Sequence, residues 1–226
     1  LILEGGSINV DGGELIIKGN YNAYEATTNK DETITYSNGG YLYMNNAVDK
    51  VTVNGDFNTS FEYWDSYRKL NSGSIEIKGN LNDYYCYGEG KNTYYGLYSN
   101  GTKFIFSGTG KQTITALDGL ICFKDVDFVN TENRELVINC EISADLCSDT
   151  YITGNATIYG NLNGHKLEVS GNLTVNSSID IAGGDINVGE DLYNYGNISL
   201  SGGYLTVNGN YNAYKSTTNK DGTITY

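Results

Sequence analysis

The sequence predicts an all-β chain wound as a parallel β-solenoid of about ten turns of about 19 residues, and three observations carry that expectation. Phrases of one form recur: LEVSGNL (Leu167 to Leu173), INVGEDL (Ile186 to Leu192) and LTVNGNY (Leu205 to Tyr211), whose last residues follow one another at 19-residue intervals. Apolar residues come in period-two pairs punctuated by Gly-Gly, Asn-Gly or Gly-Asn, the mark of very short strands with one buried face. A longer repeat encloses these units: GNYNAYEATTNKDETITY (Gly19 to Tyr36) returns as GNYNAYKSTTNKDGTITY (Gly209 to Tyr226), so that residues 6–36 match 196–226 at an offset of 190. One such unit cannot bury its apolar face alone and needs stacked neighbours. Residues 1–226 therefore read as a single segment, a window of a longer array.

Taken in order, the pairs Ile8/Val10 and Leu15/Ile17 open the chain, and the polar stretch Tyr24 to Lys30 is expected as a loop or widened corner. Leu42/Met44, Val51/Val53 and Ile75/Ile77 follow, and then Asn82 to Tyr98, a Tyr-rich insertion. Phe104/Phe106, Val126/Phe128 and Leu136/Ile138 continue the series around a polar excursion from Thr131 to Glu135. In the unit from Ser178, Ile179 and Ile181 are expected on one side, Ile186 and Val188 on a second and Leu192 on a third. Ile198/Leu200 begins the next unit. An antiparallel sandwich would explain the alternation but not the fixed spacing of the Gly-Asn corners.

Composition narrows the function classes. The chain has no Pro and 29 Gly, so its corners must be made by Gly and Asn, which accept positive φ cheaply. A net charge of −13 with only two arginines, Arg68 and Arg134, excludes nucleic acid as a partner, because phosphate binding needs clustered cations. No apolar run approaches the ~20 residues of a membrane-spanning helix. The cysteines Cys86, Cys122, Cys140 and Cys147 lack zinc spacing and read as small buried residues. Cys122 and Cys140, 18 residues apart, are a candidate disulfide between successive turns, since stacked strands lie within disulfide reach.

No catalytic or cofactor site is expected. There is no Asp-Asp pair or Asn-Thr-Asp, as polysaccharide lyases or hydrolases would need, and His165, the single histidine, reads as a solvated corner residue. The acidic corners Gly184-Asp185 and Gly189-Glu190-Asp191, with Asp125 and Asp127, are candidates for structural calcium or a solvated face. The 21 tyrosines are the compositional oddity, and their plain reading is an outer face tiled by strand-forming residues. Tyr84, Tyr85, Tyr87, Tyr94, Tyr95 and Tyr98, with Tyr63, Trp64 and Tyr67 upstream, are the candidates for glycan or fibre contact.

The stretch FIFSGTGKQTITALDGLICFKDVDFVN (Phe104 to Asn130), followed by LVINCEISADL and ITGNATIYGNLNGHKLEVSGNLTV, resembles the repeat regions of large bacterial surface proteins of adhesin type. Those are right-handed β-helices, filamentous-haemagglutinin-like in the broad sense, and the resemblance covers about half the chain. It implies a right-handed β-solenoid and an extracellular, cell-surface protein that serves as a stalk or adhesive fibre. The partners it implies are neighbouring copies, fused or end to end, and a polysaccharide or host surface. It carries over no catalytic residue.

Overall fold

The computed structural model describes residues 1–61, 66, 68–85, 95–117, 120–129, 131–214, 217–218 and 224–225. Nearly every element is a β-strand, and the long sheets are parallel. The largest, of twelve strands, runs from Glu14–Ile17 through Lys50–Val53, Ser74–Ile77, Tyr95–Phe106, Leu120–Phe128, Glu141–Leu146, Ala156–Asn161, Leu173–Val175 and Leu192–Asn194 to Tyr211–Ala213. Ser178–Asp180 and Asn197–Ser199 branch from it at Ala156–Asn161. A second sheet takes in Tyr21–Thr28, Phe57–Thr59, Leu81–Asp83, Gln112–Ala116 and Leu136–Ile138, and a third Thr150–Ile152, Lys166–Val169, Asp185–Val188 and Tyr204–Val207. Ser7–Asn9 pairs with Tyr41–Tyr43.

Apart from irregularities at Tyr95/Tyr98, Ser99/Lys103 and Phe123/Val126, register is kept along the strands, so like positions stack into ladders. Leu15 faces Val51, Val51 faces Ile75, Ile75 faces Phe104 and Phe104 faces Val126. Leu167, Ile186 and Leu205 form another such row. Alternation on a pleated strand sends every second side chain to one face, and that face forms a single apolar core. Ile179, Ile181, Ile186, Val188 and Leu192 are all buried, from three different strands, as their spacing predicts. Aromatic rings fill the earlier part of the core: Tyr21 stacks on Phe57 with centroids 4.7 Å apart, and Phe106 stacks on Phe128 at 5.2 Å.

The Gly-Asn and Gly-Asp corners are tied by a repeated hydrogen bond. Asn20 Oδ1 accepts the Asp56 N–H at 2.9 Å, Asp56 Oδ1 the Asn80 N–H at 2.7 Å, and Asn80 Oδ1 the Thr113 N–H at 2.8 Å. Asn155, Asn172 and Asp191 do the same for the N–H groups of Asn172, Asp191 and Asn210 at 2.9, 2.9 and 2.7 Å. Asparagine amides add their own ladders, Asn58 to Asn22 at 2.7 Å and Asn82 to Asn58 at 2.8 Å. Each corner bond satisfies a backbone donor that a tight corner would leave unpaired, whereas the amide ladders pair side chain with side chain.

Two expectations are corrected. The corner-to-corner steps are 36, 24 and 33 residues in the first half and 17, 19 and 19 in the last, so the 190-residue offset holds fewer than ten returns and even 19-residue spacing is confined to the later part. Tyr24 to Lys30 is not a plain loop: Tyr21–Thr28 runs on and turns back through Ile34–Asn38 as an antiparallel hairpin, pairing Thr27 with Thr35 and Thr28 with Ile34. The second copy repeats that register, Thr217 with Thr225 and Thr218 with Ile224. Polar β-branched Thr on both arms suits an exposed hairpin, which periodicity of buried residues cannot reveal.

Close stacking at the corners leaves no room for a side chain at several glycines, Gly184 among them. A Cβ on Gly184 would collide with the His165 carbonyl of the neighbouring corner, whereas one on Gly110 would meet nothing within 4 Å. Gly184→Ala should therefore cost about 1–3 kcal/mol, the usual penalty for forced overpacking, and Gly110→Ala should stay within about 0.5 kcal/mol of the parent. Urea unfolding of the two variants checks both.

Candidate functional site

The tyrosines proposed as a contact surface do not behave alike. Tyr85 is buried, 6 % exposed, and cannot meet a ligand from outside. Tyr84 is half-buried, stacked on Tyr36 and tilted against Tyr24, each at 4.7 Å, so its ring is already engaged by the hairpin. Tyr98 faces Cys122 across the sheet and shares a side-chain hydrogen bond with it. Tyr95 opens its strand opposite Leu120, and its side chain, with Tyr63, Trp64, Tyr67, Tyr87 and Tyr94, lies outside the described residues.

Cys122 and Cys140 are free thiols, because the register sets Cys122 against Ser143 and puts Cys140 at the preceding corner. Both are half-buried rather than fully enclosed, as is Cys147, and Cys86 lies outside the described residues. Burial pushes the Cys140 thiol up to about 12 and raises Cys122 and Cys147, so none is an activated thiolate.

His165 is brought into an open groove of about 540 Å³ with Asp127, Glu132, Cys147, Asp149 and Tyr151. Its Nδ1 lies 3.6 Å from Asp149 Oδ1. Nothing in the local sequence announces this meeting, since Asp149 and His165 belong to adjacent returns of the chain. Chemically the groove offers a weak His-carboxylate contact beside a protonated thiol. Among the described residues no group of three His, Cys, Asp or Glu side chains is placed to hold a metal. Two of the acidic corner residues already hold hydrogen-bond donors: Asp185 accepts the Tyr204 N–H at 3.1 Å, and Asp191 accepts the Asn210 N–H at 2.7 Å and the Tyr193 hydroxyl at 3.2 Å.

A second open groove, about 380 Å³, is lined by polar side chains at the corners, Asn139, Asn155, Asn172, Thr157, Thr174 and Tyr193. A third hollow, about 430 Å³, is of opposite character. Ile198, Leu200, Leu205, Val207 and Tyr211 line it at the outer edge of the last three strands. Tyr211 is 52 % exposed there, although its repeat mate Tyr21 is fully buried.

Two deeply buried carboxylates, Asp49 and Asp83, went unnoticed in the sequence, and burial shifts the titration of Asp83. Asp83, 1 % exposed, accepts the Leu97 N–H at 2.7 Å, the Tyr85 N–H at 3.3 Å and the Thr59 hydroxyl at 3.3 Å. It thereby ties together the two flanks of residues 86–94. Desolvation outweighs these bonds and raises its pKa from 3.8 to about 7. The fold therefore holds this proton more tightly than the unfolded chain does. Stability should fall as pH rises from about 4 to about 7 and be flat with respect to this group above that range. Asp83→Asn should remove the slope, read as the difference in urea midpoint between pH 5 and pH 8 for the two proteins.

No family model, no curated protein and no solved structure matches this chain.

Proposed function

We propose that the chain is a non-enzymatic structural segment of an extracellular bacterial surface fibre or giant adhesin stalk, built as a right-handed parallel β-solenoid. The observation that carries this reading is the corner bond repeated in two runs, Asn20 to Thr113 and Asn155 to Asn210, each side-chain oxygen receiving a backbone N–H one return later. Such a stack grows along one axis, satisfies its backbone along that axis and lengthens with copy number. About eight returns at ~4.8 Å would give each 190-residue repeat roughly 40 Å of reach. The cell-surface assignment comes from the resemblance of Phe104 to Asn130 and the following strands to adhesin repeats. Neighbouring copies, fused or end to end, are the partners this design calls for.

A glycan-binding module is the second reading, favoured by the open groove of Asn155, Asn172, Thr157, Thr174 and Tyr193 rather than by the Tyr-rich insertion. Amide and hydroxyl groups beside an aromatic ring suit sugar hydroxyls and a sugar face. Tyr193→Ala should then abolish retention on an immobilised polysaccharide and leave the melting temperature almost unchanged. Equal retention of parent and variant across a polysaccharide panel removes that reading.

The structural reading is tested by diffraction from oriented protein. A meridional reflection near 4.8 Å, with strands perpendicular to the long axis, is the expected result. A compact particle without that axial spacing would refute it.

A further inference from the structure

Tyrosine rings from separate returns meet on the outside of the molecule, and one position of the long repeat takes part each time. Tyr84 stacks on Tyr36 at 4.7 Å, 15° from parallel, and lies 4.7 Å from Tyr24, which is itself 5.9 Å from Tyr36. Tyr214, the counterpart of Tyr24 in the 190-residue repeat, stacks on Tyr195 at 4.7 Å and 12°. Register produces both meetings. Ala23 pairs with Thr59 and Thr59 with Asp83, so the next rung carries Tyr24, Ser60 and Tyr84. A residue as small as Ser60 lets the rings on either side of it close together. Tyr36 joins them from the second arm of the hairpin, two places from the Asn38 that faces Tyr24. Asn194 pairs with Ala213, which sets Tyr195 beside Tyr214.

These rings are open to solvent. Tyr24, Tyr36, Tyr84 and Tyr195 are half-buried and Tyr214 is exposed. The stacked rings of the core are enclosed and, Tyr21 apart, are phenylalanines. Packing at position 84 would be served by any ring with an apolar body. Phenols held in contact from different parts of the chain allow a reaction that phenylalanine does not.

We propose that Tyr84 is an oxidative cross-linking site, its ring joining covalently to Tyr36 or Tyr24 and so fastening the hairpin to the return that carries Leu81–Asp83. Two equivalents of a one-electron oxidant each remove one electron, one from Tyr84 and one from its hairpin partner, and each phenol releases its hydroxyl proton to water. The two phenoxyl radicals couple through ring carbons ortho to oxygen, which forms one C–C bond. Each displaced ring hydrogen is lost as a proton while its own oxygen regains one, so that both hydroxyls are restored. The net loss is two electrons and two protons, and the product is two hydrogens lighter. Burial, with Tyr24, Tyr36 and Asp56 nearby, holds the Tyr84 proton on, so the ring enters the reaction as a neutral phenol. Coupling is favoured because the fold has already brought the partners together. It needs only this ring geometry and an oxidant, and it is independent of the fibre reading.

The test oxidises dilute folded protein with photogenerated ruthenium(III) tris-bipyridine and maps tryptic peptides by tandem mass spectrometry. Tyr84 falls in the peptide 79–91, Tyr24 in 19–30 and Tyr36 in 31–50. A joined peptide of 79–91 with 31–50 or 19–30, two hydrogens below the sum and linked at Tyr84, is the expected product. Tyr84→Phe keeps the ring but should lower that product at least about tenfold, as should unfolding the parent in urea before oxidation, since either removes the held pair of phenols. Equal yield in urea would overturn the proposal. So would cross-links spread over exposed tyrosines such as Tyr204, links mainly between molecules, or hydroxylated tyrosine without any joined peptide.

Discussion

In-register parallel pairing is the constraint on which the rest depends. Once Leu15, Val51, Ile75, Phe104 and Val126 must lie in one row, every corner has to bring the chain back to the same height and phase. A corner that returned one residue early would turn the buried set outward, because the side-chain period is two. The side-chain oxygens of Asn20, Asp56 and Asn80, and later Asn155, Asn172 and Asp191, fix that phase by holding the next corner's N–H. Asp and Asn serve equally, since the bond needs only an acceptor. The acidic character of the chain is thus partly built into its corners, where a carboxylate gains a backbone donor instead of a cation.

Packing follows the length of the returns. The long returns of the first half coincide with an interior of rings, in which Phe104 lies 5.1 Å from Phe123 and 6.2 Å from Phe57. The short returns from Leu167 onward enclose Ile, Val and Leu, which stack directly on their equivalents. Ion pairs contribute little by comparison. Lys50–Glu14 at 3.2 Å and Lys111–Glu135 at 2.7 Å are both well exposed, and such pairs are worth ~0–1 kcal/mol. Apolar burial along the axis is the dominant favourable term.

Much of this was legible in the sequence, and the exceptions have physical causes. Ile179, Ile181, Ile186, Val188 and Leu192 announced their burial because period-two pairs between Gly corners admit few other arrangements. Return lengths were not legible upstream, where polar stretches between strands add residues without altering the buried pattern. The hairpin of Tyr24 to Asn38 escaped for a related reason: its arms are exposed, and no buried face marks them. Asp83 and Tyr85 show the opposite failure. Both look like solvated residues of a polar, aromatic segment, yet both are enclosed by strands far away in sequence. The meeting of Asp149 with His165, and the gathering of Asn and Thr at one groove, likewise depend on register between returns that local composition does not encode.

The corner bonds also give the stack a direction. Every side-chain oxygen in the series receives its donor from a later residue, never from an earlier one, from Asn20 through Asp191. A single corner chemistry, repeated without change of direction, thus gives the stack one polarity along its axis, the direction in which its parallel strands are also paired.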